Sequence, residues 1–197
     1  MNFLAHALLA GDHEADRIGG LIGDFIKGPL PGALPDDLAA GVALHRAIDS
    51  YAEQHPAFIA SRRRVSPTRR RVAGVLVDLF YDHLLARDWD QHHDLPLEAY
   101  ATQRYEALDA RLGDLPDAAR DIAQRMRAGN WLFSYRNVTA VGTAIDRMSI
   151  YRMRRANPLA GGIDEFFADR EGFAADFNAF LPDARNFARA HCARRNA

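Results

Sequence analysis

The chain holds one cysteine, Cys192, and one lysine, Lys27, among its 197 residues. A lone cysteine forms neither a disulfide framework nor a thiolate metal cluster, and it suits a reducing cytoplasm. With so little lysine the basic charge is nearly all arginine, the side chain that grips phosphate and carboxylate as a planar fork. No uninterrupted apolar run approaches the roughly 20 residues that cross a bilayer, so no membrane span is expected. The opening MNFLAHALLA lacks a basic leader and a small-residue cleavage site, and His6 interrupts it, so it does not read as a signal peptide. Alternating strand patterns and hairpin dipeptides are missing, as are internal repeats. Neither G-x-S-x-G nor G-x-x-x-x-G-K occurs, which steers hydrolytic chemistry toward metal-activated water. A formal net charge of −1 points to neither nucleic acid nor membrane as partner.

What is present reads as helix. Apolar residues make up 48% of the chain, enough for one substantial core, and no linker divides it. A single domain over residues 1–197 is expected. Asn2 is placed to cap a first helix running through Leu9, and Glu14 to Lys27 reads as a second, closed by Gly28-Pro29. Gly19 and Gly23 share a face and would let another helix come close to Asp24. A third helix starts at Pro35, with Asp36 and Asp37 favouring its positive end, and runs through His45 and Asp49 to about Gln54. After a short segment, Pro67 opens a long helix to near Trp89. Further helices are expected over Leu97–Leu112 and from Pro116 to Gly129, with a short turn at Trp131–Arg136. From Ile163 to Arg194 the spaced phenylalanines suggest packed helices interrupted at Pro182. The fold class is all-α, a helical bundle.

Two short patches carry chemistry. His45 with Asp49, and Asp78 with Asp82, are each four residues apart, which leaves their side chains only about 40° apart around a helix. Each pair can offer converging ligand atoms, and burying four such groups among apolar neighbours is costly unless a cation or a hydrogen-bond network compensates them. With Asp24 and His6 added, a divalent metal site is expected. The oxygen-rich mixture favours a hard ion such as manganese or magnesium, with iron also compatible. His83 follows Asp82 by about 100° and so lies off the Asp78 stripe, as a phosphate contact, a proton donor or a core histidine. Arg46 is turned away from His45, toward a phosphate or toward solvent. His92 and His93, beside Asp94, fall in an expected surface loop and are set aside as ligands. Arg62, Arg63, Arg64, Arg69, Arg70 and Arg71 form a basic run that is either a solvated face or a docking surface for an acidic partner.

The segments MNFLAH, GDFIKG at 23–28, HRAID at 45–49, DLFYDH at 78–83 and the later WLFSYR, in this order and spacing, resemble the acyl carrier protein phosphodiesterases, also called acyl carrier protein hydrolases. The resemblance implies an all-helical, HD-domain-like fold distantly related to metal phosphohydrolases. It also implies hydrolysis of the phosphodiester joining 4′-phosphopantetheine to a serine of holo acyl carrier protein, with manganese preferred. Asp24, His45, Asp49, Asp78 and Asp82 would then belong to the metal centre, with His6, Arg46 and His83 around it; the catalytic set is His6, Asp24, Arg46 and His83. Leu8 stands where many relatives place a second histidine. The acidic carrier protein is the expected partner, met by the arginine run, in the cytoplasm. Two competing readings keep the fold: an HD-like phosphohydrolase acting on a small nucleotide or phosphate ester, and a non-catalytic module that binds the carrier protein.

Overall fold

The computed structural model describes residues 2–151 and 157–195. Its first half comprises α1 (Phe3–Leu9), α2 (Glu14–Ile22), α3 (Asp36–Gln54), α4 (Pro56–Arg64) and α5 (Ala73–Arg87). The second half comprises α6 (Leu97–Ala110), α7 (Asp117–Ala128), α8 (Trp131–Ser134), α9 (Val138–Tyr151), α10 (Ile163–Ala168) and α11 (Arg170–Arg195). Single 3-10 turns at Gly23–Phe25, Pro67–Val72, Trp89–Gln91 and Leu112–Asp114 join some of them, and no strand occurs among the described residues.

α5 is the axis of the bundle. Its side chains from Leu76 to Ala86 are almost all buried, Asp82 and His83 included. A helix apolar around its whole circumference belongs inside the protein, and the other helices supply the surface. α11 closes the core by packing against α3, α4 and α5. Phe173, Phe177 and Phe180 meet Phe80, Tyr81 and Phe58 at ring separations of 5.1–6.0 Å. Such edge-on and tilted aromatic contacts add to the burial of large apolar area.

α2 and α3 touch through backbone. A Cβ on Gly19 would lie 2.3–2.6 Å from Gly41 and Val42 main-chain atoms, and one on Gly41 would lie 2.5 Å from the Ala15 carbonyl oxygen. Only glycine permits that approach, which confirms the expected close packing beside Asp24.

Several sequence expectations are corrected. α2 stops at Ile22, and the chain continues to Phe25 as a 3-10 turn. Pro56 opens a helix over the arginine-rich segment that was unassigned, and Pro67 starts a 3-10 turn rather than α5 itself. α11 runs unbroken through Pro182 for 26 residues. Asn2 does not cap α1 with its side chain; its amide donates to the Tyr135 hydroxyl at 2.8 Å.

Candidate functional site

His45, on the α3 face against α2, donates from Nδ1 to the Gly20 carbonyl at 3.0 Å. A carbonyl only accepts, so the proton sits on Nδ1 and Nε2 is aimed at what lies opposite. Opposite are two carboxylates: Asp49 Oδ2 at 3.2 Å, one helical turn along α3, and Asp24 Oδ1 at 3.6 Å, in the 3-10 turn after α2. Gly23 makes room for the imidazole, since a Cβ there would lie 2.3 Å from its ring. From α1, His6 places Nε2 3.0 Å from Asp49 Oδ1 and stacks on His45 with ring centroids 3.8 Å apart. The His6 Nδ1 is buried with no hydrogen-bond partner among the described residues.

The electrostatics follow from this crowding. Burial lowers His45, but Asp24 and Asp49 outweigh it and raise the imidazole to about 9. Burial and the neighbouring His45 charge lower His6 to about 3. Burial would raise Asp49, yet its hydrogen bonds to His45 and His6 hold it far below the carboxylate range. Asp78 on α5 is pushed up by burial and lies close enough to Asp49 and Asp24 to be raised further by both. A positive charge is therefore favoured at the point where His45 Nε2, Asp24 and Asp49 meet.

One donor atom each from His6, His45 and Asp49 lie within 4.8 Å of one another. With His45 oriented through Nδ1 by a carbonyl, this set fits a divalent cation that accepts mixed nitrogen and oxygen ligands. Asp24 and Asp78 stand beside it. Sequence reasoning missed the Gly20 carbonyl, for which the only signal was a glycine pair whose Gly19 faces α3 and whose Gly20 faces α1.

Three expected site residues stand elsewhere. Asp82 accepts from the backbone N–H of Leu4 and of Ala5, both at 2.9 Å, and is fully buried. These are orphan donors at the start of α1, so Asp82 caps that helix from α5. Burial pushes its carboxyl up to about 7, against the pull of the two amides. His83 donates from Nδ1 to the Tyr135 carbonyl at 2.8 Å and packs edge-on against Phe166, the behaviour of a core histidine. Arg46 donates to the Ile26 and Gly28 carbonyls at 2.9 and 3.0 Å, tying down the loop after Asp24. The WLFSYR segment buttresses α1: Trp131 packs on Phe3 at 6.0 Å, and Tyr135 holds Asn2.

The arginine run divides. Arg64 pairs with Asp169 and Asp176 on and before α11, and Arg69 pairs with Glu165 and bonds the Pro158 and Ala160 carbonyls. Arg63, Arg70 and Arg71 are exposed, and Arg62 is half-buried.

Residues 1–184 match the family model described as acyl carrier protein phosphodiesterase. The chain belongs to that family. Proteins named acyl carrier protein phosphodiesterase are similar to it along most of their length. That of Pectobacterium atrosepticum is 30% identical over 183 residues, 92% of this chain and 94% of that protein. That of Photorhabdus laumondii is 30% identical over 184 residues, covering 92% and 89%. That of Escherichia coli O6:H1 is 32% identical over 155 residues, covering 78% and 80%. No solved structure matches the chain. The family's members are hydrolases of a phosphodiester, and no helix among the described residues is long and apolar enough to cross a membrane.

Proposed function

We propose that the chain removes 4′-phosphopantetheine from holo acyl carrier protein by hydrolysing the phosphodiester to the carrier serine, using a divalent cation, manganese by preference. The observation that carries this reading is the convergence of His6, His45, Asp49 and Asp24 from α1, α3 and the turn after α2, in a chain of this family. His45, Asp49 and His6 would hold the ion, with Asp24 and Asp78 beside them. A cation bound there polarises the phosphoryl oxygens and lowers the pKa of a bound water from 15.7 toward roughly 7.

The protein's own groups have separable tasks. His45 is fixed by Gly20 so that Nε2 cannot rotate away, and Asp49 holds His6 and His45 in one plane of contact. Asp24, a partly exposed carboxylate beside the cluster, takes the proton of the attacking water. The oxygen of that water bonds to phosphorus, the bond to the serine oxygen breaks, and the proton held on Asp24 passes to that oxygen, so that the serine leaves as its hydroxyl. Arg46 is a positioning residue that fixes the Asp24 loop. Arg62, Arg63, Arg70 and Arg71 face the acidic carrier protein and steer its approach.

The bundle is read as HD-like because a histidine and an aspartate one turn apart on a buried helix meet a second histidine from a neighbouring helix. One continuous hydrophobic core supports the single-domain reading, and a cytoplasmic setting is kept as part of the proposal. Mass spectrometry of holo carrier protein incubated with enzyme and manganese tests the central claim. Loss of the prosthetic arm is expected with the native chain and not with Asp49→Ala. An intact arm, under conditions where a nucleotide ester is cleaved, would transfer the chemistry to a small phosphate ester.

A further inference from the structure

Where α11 passes the loop after the Trp89–Gln91 turn there is a cavity of about 260 Å³, lined by His92, Asn178, Leu181, Pro182, Arg185 and Arg189 among others. Its arginines differ from the paired arginines of the chain. Arg64, Arg69, Arg111 and Arg195 each face a carboxylate. Arg185 is half-buried and its guanidinium bonds the His92 carbonyl at 2.8 Å, with no carboxylate in ion-pair distance of it or of Arg189 among the described residues.

The groups around this hollow repel one another. Burial and the neighbouring Arg189 charge both lower Arg185. Burial and Arg185 lower His92, opposed by Asp88, which is itself engaged in a fork by Arg87. An anion between the guanidiniums converts that repulsion into attraction and gains several charge-assisted donors. One further feature describes the rest of the ligand. Leu181 and Pro182 give the wall an apolar portion suited to carbon. The volume exceeds what a bare inorganic anion fills and lies just under the range of small-molecule pockets, which begin at about 300 Å³.

We infer that this cavity is a second site, which binds a small phosphate monoester through Arg185 and Arg189 with its short organic body against Leu181 and Pro182. Arg185 and Arg189 lie past residue 184, where the match to the family model ends. The site is independent of the His6–His45–Asp49 cluster and of the reaction proposed for it.

Calorimetric titration of the full chain with glycerol 3-phosphate, in about 0.15 M salt, tests the inference, with glycerol alone and inorganic phosphate as comparisons. Saturable binding of glycerol 3-phosphate, tighter than inorganic phosphate and absent for glycerol, is expected. Arg189→Gln, at an exposed position, is expected to weaken it about tenfold or more, and Arg185→Gln to remove it. Asp49→Asn is expected to leave it unchanged. Equal affinity in both arginine variants, or loss in Asp49→Asn, would place the bound phosphate at the cluster and overturn the inference. So would the lack of any heat at tens of millimolar ligand. So too would an arginine dependence seen only for holo carrier protein, which would make this face a protein-docking surface.

Discussion

Replacing Asp82 with asparagine separates a helix anchor from a metal ligand. In the native chain both carboxylate oxygens accept a backbone N–H at the start of α1, each at 2.9 Å, with no exposure to water. Asparagine keeps one acceptor and turns an NH2 group toward the other N–H, leaving one buried donor unmatched. An unmatched buried donor costs about 1–3 kcal/mol. Taking about 2 kcal/mol, the melting temperature of a chain this size should fall by roughly 4–8 °C. The measurement belongs near pH 6, below the value of about 7 to which burial raises Asp82, because above it the buried charge is itself a cost that a neutral asparagine would relieve. Urea unfolding gives the stability, and manganese titration of the folded variant gives the affinity. The expected outcome is a clear stability loss with manganese binding weakened only modestly, through the looser seat of His6 on α1. Native stability combined with abolished manganese binding would refute the reasoning and return Asp82 to the ligand set.

Gly19→Ala forces a methyl group into the Gly41 backbone, so it should destabilise the fold by more than about 3 kcal/mol and leave little soluble protein; a native unfolding midpoint would disprove the contact. Burial would raise Glu165, but hydrogen bonds from Ser66 and Arg69 outweigh it and hold the carboxyl below its ordinary value of 4.5. A depressed carboxyl contributes stability that is present above the unfolded value and is lost as pH falls. Glu165→Gln should therefore cost about 2–3 kcal/mol near pH 7, and the two unfolding curves should converge between about pH 5 and 3. Parallel curves across that window would exclude the linkage. Arg63→Ser with Arg71→Ser should raise the KM for holo carrier protein and flatten its salt dependence with unchanged stability, whereas Arg64→Ser should lower stability without touching the salt dependence. The reverse pattern would assign docking to the paired arginine.

The His45–Asp49 pair was legible because four-residue spacing on a helix is a geometric certainty once the helix is recognised, and the glycines beside Asp24 announced the close approach of α3. The same spacing says nothing of what Asp82 bonds. Its partners are the backbone amides of Leu4 and Ala5, nearly eighty residues away, and no residue type marks where a helix start will dock. The arginine run was ambiguous for a similar reason, since Glu165, Asp169 and Asp176 neutralise half of it from about a hundred residues further on. The sequence alone places a break at Pro182. α11 continues because Phe173, Phe177, Phe180, Leu181 and Ala184 bury one continuous face, and that packing outweighs a single missing backbone bond.

The contact of Gly19 with Gly41 has a bearing on any attempt to retool the centre. The spacing between the backbones that carry the carboxylate after α2 and the imidazole of α3 is dictated by main chain lying on main chain, with no side chain in between to adjust. Swapping the surrounding aliphatic residues, the usual route to altering an ion's cage, will leave that gauge untouched. A chemist wishing to admit a larger ion would have to reroute the polypeptide itself, and until then the aperture belongs to the two glycines.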